Sequence, residues 1–427
     1  MHKKLIQNIT RYKINFWIIF YLLIYIVFVI KLIAIKSVDN NIFFLVYSIA
    51  VSLYILSRFT IAYFYDPKFD KDQGYEPTIT FGIPAKNESK NIRETILKMS
   101  KTEYPNDKFD IIVVNDGSTD NTLTEMQIAK IQAQKLGVKV NIIDWKENKG
   151  KRAGMVECVR NSNSEIIIFI DSDSYVEPQT ARQFVKYFQN LNIAAVSGHT
   201  YVENKEENYL TKMQAVRYFI AFRAYKASEA IFGTVTCCSG CNSAYRRSYV
   251  LDVLKKWENQ TFMGVKCTYG DDRSLTNFLL QKGYQTIYAK DAKAYTFVPN
   301  NLKQYLNQQL RWKKSWIREN LRATLFVIKR NPIMSLSFYL GFVLTFLAPI
   351  VAIRALIWLP VTSGKNPWFY LSGLLIMSII YGLYYRIYSN DKKWFMGGVL
   401  ALFFSLALIW QLPYAILTLR DSRWGTR

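Results

Sequence analysis

The sequence predicts a mostly parallel α/β domain that is embedded between membrane-spanning α-helices. Long apolar runs lie near both ends of the 427-residue chain, and the middle of the chain is polar. Within that middle, short apolar strands alternate with helical stretches, which indicates a parallel sheet covered by helices. Hydrophobic residues make up 50% of the chain, yet the mean hydropathy is only +0.01. This combination is expected when membrane segments flank a polar domain.

Five apolar runs are long enough to cross about 30 Å of hydrocarbon, which needs about 20 residues. These runs are 14–35, 42–64, 332–360, 368–385 and 394–419. Basic residues precede the first run, and such residues favour the cytoplasmic side. Two crossings then return the chain to the cytoplasm. We therefore expect a multi-pass protein of the cell membrane, with two N-terminal transmembrane helices in 1–65, a cytoplasmic polar domain in 66–300, amphipathic interface helices in 301–330, and C-terminal transmembrane helices with the tail in 331–427.

The net charge of +23 fits a protein that meets anionic lipid or an anionic substrate. Nucleic acid is not an expected partner, because no nucleic-acid-binding signature accompanies the charge. No obligatory protein partner is evident, and membrane lipids are expected neighbours. The five cysteines form an odd set in a domain predicted to be cytoplasmic, so we expect reduced thiols rather than a disulfide framework.

Acidic residues follow two predicted strands, where ligands of parallel α/β sheets bind. Asp116 ends the strand predicted over 109–116, and Asp171 and Asp173 end the strand predicted over 165–173. Carboxylates at such an edge can hold a hard divalent cation together with phosphate oxygens. Asp-Ser-Asp is also ordinary turn chemistry. The position directly after an apolar strand favours a functional site.

A basic loop, 148–153, enters the next helix and contains Lys151 and Arg152. Backbone N–H groups and cations converge at such a helix start, which suits phosphate binding. A solvated charge run is the alternative interpretation.

Two further stretches carry unusual polar residues. Asp271, Asp272 and Arg273 begin a predicted helix, where one acid would suffice for capping. The stretch 305–320 predicts an amphipathic interface helix, and anchoring at the membrane leaves Gln308 and Gln309 unexplained.

Taken together, these residues resemble the processive, inverting family-2 glycosyltransferases, which use nucleotide sugars and a GT-A catalytic domain. Four motifs carry the resemblance: Val114-Asn115-Asp116-Gly117, Asp171-Ser172-Asp173, Gly270-Asp271-Asp272-Arg273 and Gln308-Gln309-Leu310-Arg311-Trp312. Within that group, the stretches 259–277 and 298–319 and the closing WGTR resemble the hyaluronan synthases. The resemblance implies UDP-GlcNAc and UDP-GlcA as donors, Mg²⁺ or Mn²⁺ as cofactor, and a growing polysaccharide that the same chain exports.

The resemblance also implies roles for individual residues. Asp272 would be the general base, with Asp271 and Arg273 shaping the catalytic site. Asp173 and Asp171 would hold the metal and UDP. The remaining donor contacts would be Asp116 at the uridine and Lys151, Arg152 and Arg311 at the diphosphate. Gln308 and Trp312 would bind the acceptor sugar.

Other functions remain open. Nodulation chitooligosaccharide synthases and capsular glucose/glucuronate polymer synthases share parts of the same motifs, so a chitin-like or a glucose/glucuronate product is an alternative. A further alternative is a transferase that adds one sugar to a lipid carrier. The non-enzymatic alternative is a membrane protein that only binds nucleotide sugars.

The C-terminal tail, 421–427, is predicted to be cytoplasmic. A single crossing by the run 394–419 would place it outside, away from UDP-sugars. Gln411 and Pro413 interrupt that run, so we expect it to break near Pro413 and turn back. By resemblance, Trp424, Thr426 and Arg427 would then close over the UDP-loaded site.

Overall fold

The computed structural model describes residues 21–22, 25–26, 29, 42–66, 74–389, 391 and 393–422. The first predicted span, 14–35, therefore lies largely outside the described residues. The strands of the central domain are β1 (Ile79–Ala85), β2 (Phe109–Asp116), β3 (Lys139–Trp145), β4 (Ile166–Phe169), β5 (Ser174–Val176), β6 (Ile193–Val202), β7 (Ser243–Arg246), β8 (Thr261–Phe262), β9 (Val265–Lys266) and β10 (Gln285–Thr296).

The described helices surround this domain and extend from it. They are α1 (Ile42–Tyr63), α2 (Ile92–Met99), α3 (Thr122–Lys135), α4 (Lys151–Asn161), α5 (Thr180–Val185), α6 (Tyr209–Ile220), α7 (Ala227–Ala230), α8 (Arg247–Glu258), α9 (Asp271–Gln281), α10 (Leu302–Val327), α11 (Pro332–Ile353), α12 (Leu359–Ser363), α13 (Trp368–Ser389), α14 (Met396–Leu406) and α15 (Gln411–Leu417). Wider π-helical turns, Ala221–Lys226 and Arg354–Trp358, join α6 to α7 and α11 to α12.

Eight strands form one mixed sheet in the order β3-β2-β1-β4-β7-β6-β10-β5. The pairs β2–β3, β1–β2, β1–β4 and β6–β10 are parallel, whereas β7 and β5 run antiparallel to their neighbours. The mostly parallel α/β prediction is confirmed. The strand predicted over 165–173 ends earlier, at Phe169, because the backbone turns at Asp171, whose carbonyl accepts from the N–H of Ser174 at 3.0 Å.

The sheet is covered on both faces. Along β2, Ile111 and Val113 belong to one buried apolar cluster, while Ile112 and Val114 belong to the cluster on the opposite face. Successive strand residues point to opposite faces, so a continuous apolar run is the expected pattern for a doubly covered strand.

Close packing fixes the position of α4, the helix that carries the basic loop. A Cβ added at Gly154 would lie only 2.8 Å from the Cβ of Pro84 in β1. Because glycine allows this approach, α4 lies close against the sheet and its first residue, Lys151, starts near the carboxyl ends of β1 and β4.

Three described helices are long and apolar enough to cross a membrane: Ile42–Tyr63, Pro332–Ser363 and Tyr370–Ser389. The pair α14 and α15 also passes this test when taken together, but it bends by 48° at residues 407–410. The predicted break is therefore present, although it precedes Pro413. Pro413 lies in the first turn of α15, where the N–H groups have no helical acceptor, so a proline there breaks nothing.

Candidate active site

The described site residues converge around the loop that contains Gly240. A Cβ added at Gly240 would lie 3.4 Å from Lys151 Nζ, 3.7 Å from Asp171 Oδ1 and 3.8 Å from Asp272 Cβ. The start of α4, the end of β4 and the start of α9 therefore meet at one place. The motifs that supply these three residues are far apart in the sequence.

Asp116 is buried at the end of β2, where it holds the basic loop. Its Oδ1 accepts from the backbone N–H of Lys149 at 2.6 Å, and its Oδ2 accepts from that of Gly150 at 3.0 Å. Burial raises the pKa of Asp116, and these two N–H groups oppose the shift. The carboxylate thus fixes the loop that leads into Lys151. Asp116 is therefore a buried, hydrogen-bonded residue and not part of a solvated turn.

Lys151 and Asp171 form an ion pair at the centre of the site. Both side chains are partly exposed, at 27% and 29%, so a ligand can reach them. Burial lowers the pKa of Lys151, but the carboxylates of Asp171, Asp271 and Asp272 outweigh it and raise the value above that of an ordinary lysine.

Asp173 lies two residues from Asp171 and feels its charge. Burial, and then the negative charge of Asp171, raise the pKa of Asp173 to about 6. Two carboxylates in this arrangement fit a hard divalent cation, which would offset their repulsion. Within the described residues, no group of three or more His, Cys, Asp or Glu is placed to hold a metal. Further ligands would therefore be diphosphate or water oxygens.

Arg152 lies inside the domain, and this placement differs from the prediction that it contacts the diphosphate. The side chain is 5% exposed, and its Nε donates to Asp271 Oδ1 at 2.6 Å. Its Nη1 donates to the carbonyl of Trp257 and to Gln260 Oε1, both at 3.0 Å. The pair between Arg152 and Asp271 therefore joins α4 to α9 and to the end of α8.

Asp272, the neighbour of Asp271, is half-buried and faces the Gly240 loop. Its Oδ2 accepts from the Gly240 N–H at 3.3 Å and lies 3.6 Å from Cys237 Sγ, and its Oδ1 accepts from the Arg273 N–H at 2.8 Å. These contacts orient the carboxylate and leave room for a further hydrogen bond. The placement fits a group that accepts a proton from a bound hydroxyl.

The helix α10 brings Arg311 and Trp312 to the same region. Burial lowers the pKa of Arg311, and the negative charges of Asp171, Asp271 and Asp272 oppose that shift. The ring of Trp312 has the Arg217 guanidinium 5.2 Å from its centroid. Arg217 also donates to the buried Gln309, whose amide in turn reaches Gln308 at 3.5 Å.

The end of the described chain lies on the catalytic domain. Tyr269 Oη donates to the carbonyl of Asp421 at 2.9 Å, and Thr268 Oγ1 donates to that of Ser422. Both contacts are immediately before Gly270-Asp271-Asp272 in the sequence. The predicted contacts Trp424, Thr426 and Arg427 lie outside the described residues.

Two supporting residues were missing from the sequence-based prediction. Lys226 is buried, and its Nζ donates to Ser197 Oγ at 3.0 Å, to the carbonyl of Cys237 at 2.6 Å and to Ser239 Oγ at 2.6 Å. It therefore holds the Gly240 loop in place, and Arg217 orients Trp312. Both are cations within the aromatic stretch 217–226, and that composition was the available signal.

A cavity of about 960 Å³ begins beside Asp272 and continues between the apolar helices. Cys237 and Arg273 line the part nearest Asp272, and most of the rest is lined by residues of α1, α6, α10, α11, α13 and α14. Among the described lining residues, six are basic and one is acidic. The basic residues are Arg58, Arg217, Lys226, Arg273, Lys313 and Arg354, and the acidic one is Glu229.

Comparison with a solved structure agrees with this fold. The mannosyltransferase PcManGT from Pyrobaculum calidifontis, in complex with GDP-Man and Mn²⁺, matches with a TM-score of 0.56 and 18% identity, over 84% of this chain and 97% of that one. This likeness shows a shared glycosyltransferase fold and confirms the predicted fold class.

Comparison with known sequences agrees with the motifs. The family model for glycosyl transferase family 2 matches residues 80–254. Hyaluronan synthase of Streptococcus pyogenes is 28% identical over 387 residues, which cover 90% of each chain. An N-acetylglucosaminyltransferase of Azorhizobium caulinodans is 30% identical over 357 residues, covering 82% of this chain and 87% of that protein. The chain is therefore a glycosyltransferase, and it belongs to glycosyl transferase family 2.

Proposed function

We propose that the chain is a processive, inverting membrane glycosyltransferase that polymerises hyaluronan from UDP-GlcNAc and UDP-GlcA and exports it. The observation that carries the proposal is the cavity between the membrane helices, which starts at the residues flanking Asp272. A product released at Asp272 would enter this cavity directly. An enzyme that adds one sugar to a lipid has no need for such a path.

The charge of the cavity favours an anionic polymer. Six basic lining residues against one acidic residue give a positive interior, and charged groups at membrane depth mark paths for polar substrates. A hyaluronan chain carries one carboxylate per disaccharide, whereas a chitin-like chain is neutral. The likeness to a named hyaluronan synthase supports the same product, and the likeness to an N-acetylglucosaminyltransferase keeps the chitin-like polymer as the second candidate.

The proposed reaction is an in-line displacement of UDP by an acceptor hydroxyl at the anomeric carbon, with inversion. Asp272 accepts the hydroxyl proton as the acceptor oxygen attacks. Its contacts with Gly240 and Arg273 hold the carboxylate in place for this transfer. Trp312 provides an aromatic face for the apolar side of the acceptor sugar, and Gln308 supplies polar contacts at its edge.

Charge develops on the leaving diphosphate, and the cations around the site stabilise it. Lys151, which pairs with Asp171, and Arg311, which feels the charge of the same carboxylate, would do this. Asp171 and Asp173 would hold Mg²⁺ or Mn²⁺, which when bound neutralises part of the diphosphate charge. Asp116 supports the uridine side by fixing the loop 149–150. Arg152 and Asp271 do not contact the donor in this proposal. They form a buried ion pair that joins α4 to α9.

The proposed topology keeps this chemistry in the cytoplasm, where UDP-sugars are found. The contacts of Asp421 and Ser422 with Tyr269 and Thr268 support a tail on the same side as the catalytic domain. On this basis Trp424, Thr426 and Arg427 would contact bound UDP-sugar. A cysteine at Thr426 should resist membrane-impermeant thiol reagents in intact cells, and ready labelling would contradict the topology.

Purified enzyme in liposomes tests the proposed product. Each UDP-sugar is supplied alone and then in pairs with Mg²⁺ or Mn²⁺, and radiolabelled product is sized on a gel. Hyaluronan synthesis requires UDP-GlcNAc and UDP-GlcA together. Polymer from UDP-GlcNAc alone would indicate a chitin-like product, polymer from UDP-glucose with UDP-GlcA a capsular type, and a single labelled lipid a non-processive transferase. Binding without incorporation would refute enzymatic activity.

A further inference from the structure

Two cations without an acidic partner line the cavity beside Trp312. Lys313 lies on α10 and Arg217 on α6, and both side chains form part of the cavity wall. The Arg217 guanidinium lies 5.2 Å from the centroid of the Trp312 ring, so the two cations begin next to the proposed acceptor site. Within the described residues, neither cation forms an ion pair with a carboxylate, and no acid shifts the pKa of either one.

The ammonium group of Lys313 has a hydrogen-bond donor to spare. Its Nζ donates to the carbonyl of Leu408 at 2.9 Å and to Gln411 Oε1 at 3.0 Å, and both acceptors are neutral. An ammonium group carries three N–H donors, and the third has no acceptor in the described part of the chain. Because Lys313 is only half-buried and lines the cavity, this donor can meet a ligand there.

The positive charge at Lys313 is costly in this environment. Burial, and then the positive charge of Arg217, lower the pKa of Lys313 to about 8. An anion bound between two such cations would offset both the burial and the repulsion. A neutral donor would satisfy the same two acceptors without a charge. The hydrogen bonds to Leu408 and Gln411 therefore do not explain why a cation occupies this position.

The surroundings of the two cations fit a sugar that carries a carboxylate. The Arg217 guanidinium lies 4.4 Å from the ring centroid of Phe404, which also lines the cavity. Aromatic rings can cover the apolar side of a pyranose, while the cations offer charge-assisted hydrogen bonds to a carboxylate. Lys313 directly follows Trp312 on α10, so such a sugar would lie next to the one at the acceptor site.

We infer that Lys313, together with Arg217, binds the carboxylate of a uronic acid residue in the growing chain as that residue leaves the acceptor site. The inference rests on the proposed function and names a residue that selects for an acidic polymer. A neutral chain would leave both cations unpaired, so the site favours a chain with acidic sugars.

The test measures the binding of two oligosaccharides to the full-length enzyme in nanodiscs of phosphatidylcholine, a lipid without net charge. One ligand is a hyaluronan hexasaccharide, and the other is the same hexasaccharide with its carboxylates reduced to alcohols. The wild type should bind the acidic ligand about tenfold more tightly. Lys313→Gln keeps an N–H donor but removes the charge, so it should lose about five- to tenfold of affinity for the acidic ligand and less than about twofold for the reduced one.

Two further variants complete the comparison. Lys313→Arg keeps the charge and should retain the preference for the acidic ligand. Lys303→Gln is the matched control, because Lys303 is exposed on the first turn of the same helix. If thermal unfolding shows that Lys313→Gln does not fold, Lys313→Met gives the same comparison with a side chain of similar volume. Equal losses for the two ligands would indicate a purely structural role and overturn the inference, as would unchanged affinity for both or a wild type without preference.

The inference and the proposed function fail in different experiments. Polymer made by the wild type from UDP-GlcNAc alone would refute the proposed product, and the inference with it. If the wild type requires both UDP-sugars while Lys313→Gln keeps the full preference for the acidic hexasaccharide, the proposed product stands and only the role of Lys313 is refuted.

Discussion

In three pairs of adjacent residues, on three different helices, one residue is buried in the domain and its neighbour is more exposed. In Lys151-Arg152, the lysine faces Asp171 and the arginine is buried against Asp271. In Asp271-Asp272, the first acid is buried and the second faces the Gly240 loop. In Gln308-Gln309, the second amide is buried against Arg217. One member of each pair is buried in the scaffold, and we propose that its neighbour faces the site, so chemically similar neighbours should fail in different ways.

The largest expected effect is a loss of turnover on substitution of Asp272. Asp272→Asn removes the proposed general base, and kcat should fall about 10³-fold because a positioned base contributes about 10²- to 10⁴-fold. UDP binding in the presence of Mn²⁺ should stay close to that of the wild type. Steady-state incorporation and calorimetric UDP titration measure the two quantities. Asp252→Asn, an exposed acid on α8, is the control. Wild-type turnover by Asp272→Asn would remove that residue as the base.

The next effect is on stability. Arg152→Met leaves Asp271 buried without its ion-pair partner, which should destabilise the fold by about 3 kcal/mol. Denaturant unfolding in detergent, followed by tryptophan fluorescence, measures the change. Arg160→Met on the same helix breaks a largely exposed pair with Glu258 and should cost less than about 1 kcal/mol. Equal losses of unfolding free energy in the two variants would contradict a structural role for the buried pair between Arg152 and Asp271.

A smaller effect, on donor affinity, should follow from substitution of Lys151, the more exposed residue of Lys151-Arg152. Lys151→Met removes one cation from the diphosphate site and should weaken donor affinity about tenfold, equivalent to about 1.4 kcal/mol. The unfolding midpoint should change little, because the pair with Asp171 is partly solvated. Lys151→Arg should recover part of the affinity, and Lys135→Met on α3 is a surface control. Unchanged KM for both UDP-sugars would refute the diphosphate role.

The smallest effect should separate the two glutamines of α10. Gln308→Ala should reduce the use of a short oligosaccharide acceptor about threefold without changing stability, since one hydrogen bond contributes about 1 kcal/mol. Gln309→Ala removes an acceptor of the Arg217 guanidinium and should lower stability by about 1 kcal/mol. Acceptor titration and thermal unfolding give the comparison. The reverse pattern would show that Gln309, and not Gln308, faces the acceptor.

The strands and the positions of the site motifs could be predicted from the sequence. The directions in which the side chains point could not. Apolar runs and strand ends placed β1, β2 and β4, and the motifs after them gave the site residues. The pattern could not predict β7, whose four residues pair antiparallel between β4 and β6. Such pairing depends on tertiary contacts, and a short apolar strand carries little periodic signal.

The sequence pattern could not predict which of Lys151 and Arg152 faces the site. Adjacent helical residues point about 100° apart, so only one of the two can face the ligand. Which one does so depends on how α4 is rotated against the sheet, and the contact between Gly154 and Pro84 sets that rotation. The break predicted near Pro413 is present at residues 407–410, and Pro413 itself lies in the first turn of the helix that follows. A proline marks the start of a helix as readily as its end.

The division between scaffold and site is tested most directly by the thermal unfolding of Asp271→Asn and Asp272→Asn side by side. The substitutions are chemically identical and one residue apart. We predict that Asp271→Asn lowers the apparent midpoint by about 5–10 °C, because Arg152 keeps a buried charge without its carboxylate. Asp272→Asn should stay within about 1 °C of the wild type, since Asp272 is only half-buried, has no ion-pair partner among the described residues, and the asparagine amide oxygen can still accept from a backbone N–H. Equal shifts in the two variants, or a larger shift in Asp272→Asn, would contradict the account.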